Sequence, residues 1–345
     1  MSNIQINPYN FAAGEIGSWK EIDRETLIGS ANDMTVGTFA QNRYYMILWN
    51  GIATGGTLDD IYLQTGNTTV DTGTSYAARV NNGNPDQEYP SVTNMLIDKN
   101  NGAFDRFGYL YMTNIADQEK LLQGERIQSN GATATTAPLH LNSIGKWADT
   151  LNVADILKFT NQGSGNFNNG SEVIILAWTP STSQLPADNF WQELASTDLS
   201  AGAADDISSG TFTAKKYLWV QTFMELNGTT ITGNVNFNGD VANNYSQKRS
   251  SNGGAWGASD TNSTIDVRGG EAKDRFENLF ILNVPTKEKL IIGSMMASPV
   301  SSSPDRTKYV AKWENASQIT EINYNNTDAG GSYGTKTMIK VWGHD

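Results

Sequence analysis

The chain has 345 residues, 38% hydrophobic and 10% aromatic, a length that predicts about two domains with cores of their own. Its 36 acidic against 24 basic side chains leave a formal net charge of -12, which repels phosphate backbones and anionic membrane surfaces, so neither nucleic acid nor membrane is an expected partner. The absence of cysteine excludes disulfides, thiolate zinc sites and a cysteine nucleophile, while 17% charged residues and 33 glycines point to a β-rich, turn-rich chain.

Residues 1–16 read as an N-terminal arm without a basic region or an apolar stretch of the signal type, so synthesis and folding in a cytoplasm are expected. The arm carries Tyr9 and Phe11 on a polar segment, both candidates for partner contact. A first domain follows over 17–178, then a linker at 179–188 stiffened by Pro180 and Pro186, then a second domain over 189–345. Short β-branched and aromatic runs between Gly, Asn, Asp and Ser clusters predict strands: Arg43–Trp49, Phe107–Met112 and Val173–Trp178 in the first domain. Lys216–Phe223, Phe276–Leu282, Leu290–Ile292 and Thr337–Trp342 follow in the second. Arg43–Trp49 and Lys216–Phe223 are apolar on both faces, as a strand inside a sheet should be. Asp117–Gly124 is the one candidate for helical periodicity.

The two domains repeat each other at a spacing of roughly 172 residues. Ala103, Asp105, Arg106, Phe107 and Leu110 recur as Ala272, Asp274, Arg275, Phe276 and Leu279, and Asn114–Leu122 recurs as Asn283–Ile291. Trp147 matches Trp313, and Trp178 is matched to Trp342. A period this long makes each copy a domain rather than a stacked repeat. The predicted fold is all-β: two tandem jelly-roll-like antiparallel β-sandwich domains related by internal duplication.

The chemistry-bearing residues point the same way. A carboxylate beside a guanidinium, as in Asp105-Arg106 and Asp274-Arg275, could orient a substrate, but ahead of an apolar strand Asp caps a turn and Arg bonds carbonyls. The four repeated tryptophans read as core or sheet-covering residues. No spacing selects a glycosidase carboxylate pair, and His140 and His344 have no repeated partner, so no catalytic residue, cofactor or metal is expected. Asp98–Gly102 and Asn238–Asp240 read as turns rather than calcium loops. The loops at 81–90 and 250–260 differ between copies, and each carries one large aromatic in a polar frame. Tyr89 and Trp256, with Asn82 and Asn252, are therefore contact candidates for a sugar ring or a partner protein, or else anchors of their own loops.

Lys312-Trp313-Glu314-Asn315-Ala316-Ser317-Gln318-Ile319, the closing Gly334–Gly343 segment, and Phe237-Asn238-Gly239-Asp240 with Asn244-Tyr245 and Arg249 together resemble a family of virion proteins from tailed phages and uncultured marine viruses. The resemblance covers most of the second domain and is looser over the first. It implies a non-enzymatic structural or adhesive part of a virion, assembled in the host cytoplasm, as a capsid decoration or tail-fibre component. The implied partners are other virion proteins and further copies of the chain, a trimer among them. Two other readings stand beside it: a module that binds host-surface glycans, and the double jelly-roll major shell protein of a tailless icosahedral virus.

Overall fold

A computed structural model describes residues 19–54, 58–82, 86–99, 102–131, 133–178, 189–298 and 305–345. The arm with Tyr9 and Phe11, and the linker at 179–188, lie outside the described residues. Among the described residues the regular elements are all β-strands, paired antiparallel into several sheets. Asp117–Gly124 is no helix. Asp117 turns the chain at φ 60°, and Lys120–Gln128 continues as a strand in which Lys120, Leu122 and Gly124 are buried and Leu121 and Gln123 exposed, a period of two.

The chain divides into two compact units, Met1–Gln128 with Leu141–Trp191, and Ser129–His140 with Gln192–Asp345. Ser129–His140, which sequence reading left inside the first domain, thus belongs to the second unit. The reason is a set of bonds between residues distant in sequence. The Lys312 ammonium donates to the carbonyls of Ser129 and Gly131 at 3.3 and 2.6 Å, and the Thr261 N–H donates to the Ala134 carbonyl at 2.9 Å.

In the first unit one sheet runs Lys20–Thr26, Glu172–Trp178, Tyr44–Gly51, Arg106–Thr113, Lys120–Gln128, Leu139–Trp147, Tyr76–Asn81, Gln87–Val92. Asp33–Gly37, Ile156–Asn161, Ile61–Asn67, Thr69–Val70 and Met95–Asp98 form a second sheet. Tyr45, Ile47, Trp49, Leu110 and Met112 of the large sheet share one buried cluster with Leu63, Leu157 and Phe159 of the smaller. Each such buried apolar side chain contributes about 1.5–3 kcal/mol by leaving water.

The second unit repeats the order. Its large sheet runs Gln192–Asp198, Met338–His344, Tyr217–Met224, Asp274–Leu282, Lys289–Ser298, Asp305–Trp313, Tyr245–Ser251, Gly257–Asn262. Its smaller sheet is Asp206–Ser208, Ile322–Asn325, Ile231–Phe237 and Ile265–Glu271. Strand pairing gives Arg106 and Arg275, and Trp147 and Trp313, the same places. It corrects one match: Trp342 stands opposite Trp219 where Leu176 stands opposite Met46, so Trp178 and Trp342 are two residues out of register.

Several repeated polar residues tie strands together in both units. The Trp147 indole donates to Asp71 Oδ2 and the Trp313 indole to Asp240 Oδ2, each at 2.8 Å. The Tyr76 and Tyr245 hydroxyls donate to the carbonyls of those same aspartates at 2.9 and 3.0 Å. Asn114 accepts from the Ala154 N–H and Asn283 from the Ile319 N–H, each at 2.7 Å. Asp105 accepts from the Ala53 N–H and Asp274 from the Leu226 N–H at 3.1 and 2.8 Å. Arg106 donates to the carbonyls of Leu58 and Asp59, and Arg275 to that of Ile231. Asp98 is paired with Arg106 at 2.8 Å and with Arg126, and Asp240 accepts from Ala242 and Asn244, so both carboxylates of the turn segments are held by protein groups.

Candidate functional site

Alternation along three adjacent strands of the first unit puts Tyr109 and Tyr111, Leu121 and Gln123, and Ile144 and Lys146 on the face opposite the core, into which Met112, Leu122 and Trp147 point. Much of this outer face is closed, with Met46, Leu48 and Phe107 buried. At one end it opens into a groove of about 880 Å³, lined by Trp19, Tyr44, Tyr111, Trp178, Leu121 and Ile144 among others. That volume lies in the range of clefts that bury a small ligand or several side chains. Tyr111, Leu121 and Ile144 are 39%, 53% and 50% exposed, high for large apolar groups on neighbouring strands.

The aromatic wall is ordered by ring contacts. Trp19 lies 6.1 Å from both Trp178 and Tyr111, tilted at 58° and 46°, and Tyr44 stacks on Trp178 at 5.4 Å and 29°. These are the offset and tilted arrangements that ring quadrupoles favour. Burial pushes the Tyr109 phenol up, so it stays neutral. Charge sits at the rim. Arg79 pairs with Glu88 and, at 3.4 Å, with Asp86, while Lys146 pairs with Glu119 at 2.8 Å. Exposed pairs of this kind are worth about 0–1 kcal/mol, so these heads can exchange partners when a ligand arrives. The groove offers apolar surface, flat rings, two cations and a carboxylate.

Of the contact candidates read from sequence, Tyr89 lines this groove, together with Trp178 of the repeat landmarks. Tyr89 is half-buried against the core. Its hydroxyl accepts from the Lys99 ammonium at 2.8 Å and donates to Gln87 at 2.9 Å. Trp256 belongs to the second unit, where its ring stacks on His140 at 4.1 Å and 29°. The two aromatics are not counterparts: Tyr89 pairs with Ala78, and the matching position in the second unit is Ser259, paired with Gln247. Asn252 takes φ 52° in its turn, accepting from the Arg306 N–H at 2.8 Å and donating to Asp305 at 2.7 Å. Asn82 is half-buried at the end of its strand, and Gly83–Pro85 beside it lie outside the described residues. Tyr44, Tyr111, Leu121 and Ile144 are not contact candidates on sequence alone. Their shared signal is an apolar residue at alternate positions on the face the core does not use.

No protein-family model matches the chain, and no curated protein does. Solved structures give faint likenesses. The outer membrane protein OprG from Pseudomonas aeruginosa is 9% identical over 88% of this chain and 98% of its own, with a TM-score of 0.11. An acyl-CoA hydrolase from Agrobacterium tumefaciens is 7% identical over 72% of this chain and 82% of its own, TM-score 0.12. A monomeric dehydratase domain from a trans-AT polyketide synthase split module is 7% identical over 74% and 82%, TM-score 0.12. Scores this low carry no argument about fold or function.

Proposed function

We propose that the chain is a non-enzymatic structural protein of a tailed-phage virion, self-associating and displayed as a capsid decoration or tail-fibre component. In this reading its two units are jelly-roll-like sandwiches descended from one duplicated ancestor. The observation that carries it is the use made of the repeated polar residues: Asp71 and Asp240, Asn114 and Asn283, Arg106 and Arg275 each bond groups of their own unit. Duplication retained what holds strands together, as expected of a part selected for architecture. The matching strand orders of the two large sheets support the common ancestry. Mass spectrometry of gradient-purified particles tests the reading. The chain should co-purify at a constant ratio to the shell protein, and its presence only in the soluble lysate would reject it.

A second reading, a host-glycan-binding module, is favoured by the ring wall of Trp19, Tyr44, Tyr111 and Trp178 beside Arg79 and Lys146. It predicts glycan-array signals that Trp178→Ala abolishes, and a blank array would dismiss it.

A further inference from the structure

The second unit indicates what kind of chain this face accepts. By strand pairing, its Phe280, Leu290, Val310 and Lys312 hold the places of Tyr111, Leu121, Ile144 and Lys146. There the three apolar residues are at most 7% exposed. Lys312 donates to the carbonyls of Ser129 and Gly131, and Ser246, which stands where Ala77 stands, donates to the Thr136 carbonyl at 3.2 Å. An irregular segment with small buried side chains, Ala134 and Ala137, therefore bonds to the face. In the first unit the same positions are open.

We propose that residues 4–11 of the chain's own N-terminal arm seat in the groove of the first unit. Trp19, the first described residue, is itself part of the groove wall, so the arm begins at the site. Eight residue steps separate Phe11 from Trp19, a reach of up to about 26–29 Å when extended. Gly14, Gly17 and Ser18 lie within that stretch and suit the reversal the path needs. Tyr9 and Phe11 alternate along the arm, as do Ile4 and Ile6 on the opposite face, and Pro8 biases Asn7 toward extended backbone. In an extended segment alternate side chains share a face at about 6.6 Å spacing. The Trp19 ring lies 6.1 Å from each of the Tyr111 and Trp178 rings, close to that spacing. Lys146 then meets a carbonyl of the arm as Lys312 meets those of Ser129 and Gly131. The inference goes beyond the virion reading and stands or falls without it.

The cysteine-free chain makes the test direct. A disulfide forms only where Cα atoms come within about 4.4–6.8 Å. In the full-length protein, Phe11→Cys is combined with Ile144→Cys, and separately Tyr9→Cys with Leu121→Cys, so that one pair in the wrong register does not decide the result. Ile144 and Leu121 are half-exposed, so neither change threatens folding. The control combines Phe11→Cys with Ile28→Cys, an exposed site of the same unit outside the groove lining. Under mild oxidation at least one groove pair should close within single chains roughly tenfold faster than the control, because seating raises the local concentration of the thiols. Rates equal to the control would overturn the proposal. So would crosslinks mainly between chains, or an oligosaccharide bound in the groove while the arm pairs stay open.

Discussion

Glu277 offers the sharpest test of how the second core is held. Its counterpart in the first unit is Gly108, where an added Cβ would lie 2.4 Å from the Trp49 indole, which packs on Phe159 at 5.9 Å. The second unit has Thr222 in place of Trp49, and the buried carboxylate accepts hydrogen bonds from the phenols of Tyr309 and Tyr324. Desolvation raises its pKa from 4.5 to about 7, opposed by those phenols and by Arg275. The folded state thus keeps a proton that the unfolded chain releases between pH 4.5 and 7. Stability from this group is greatest below pH 4.5 and falls as pH rises to about 7, by about 3 kcal/mol at 1.36 kcal/mol per unit. Glu277→Gln keeps the shape and cannot ionise. Hydrogen exchange of the Asp274–Leu282 strand reports the second unit even if the units open separately. Wild type minus variant should become less favourable by about 3 kcal/mol between pH 4.5 and 8. Parallel profiles for the two proteins across that range would mean that Glu277 holds its proton no more tightly in the folded than in the unfolded chain.

Gly108→Ala should destabilise the first unit by about 1–3 kcal/mol through overpacking against Trp49, read by thermal denaturation. Asp71→Ala and Asp240→Ala should each cost about 1–3 kcal/mol by orphaning a buried indole N–H, in the first and second unit respectively. Hydrogen bonds lower both carboxyl pKa values below 3.8, so the wild-type advantage should hold above that pH and fade in stronger acid, as urea titrations would show. Burial brings Lys289 from 10.5 down to about 8, so folded protein binds fewer protons than unfolded between those values and stability should rise with pH there. Lys289→Met should flatten that rise in denaturation measured from pH 8 to 10.5.

Strands were legible because their signal is local: the apolar stretches at Tyr44–Trp49 and Phe107–Met112 are each contained in a few residues. Trp147 and Trp313 were matched correctly because an identical Lys-Trp dipeptide closes the same strand in both units. The Trp178 and Trp342 match failed because register is set by partners far away, Tyr44–Gly51 and Tyr217–Met224, and a shift of two leaves the side chains on the same face. The groove was out of reach for the same reason. Alternation assigns Leu121 and Ile144 to one face, but only assembly of five or more strands decides whether that face is covered. The placement of Ser129–His140 likewise depends on Lys312, some 180 residues onward.

Display of this chain on a virus particle can be seen with gold-labelled antibody against it, viewed on intact purified particles by electron microscopy. Regular labelling confined to the head surface or to the tail fibres is expected. Particles that bind no gold, beside lysate protein that does, would contradict it.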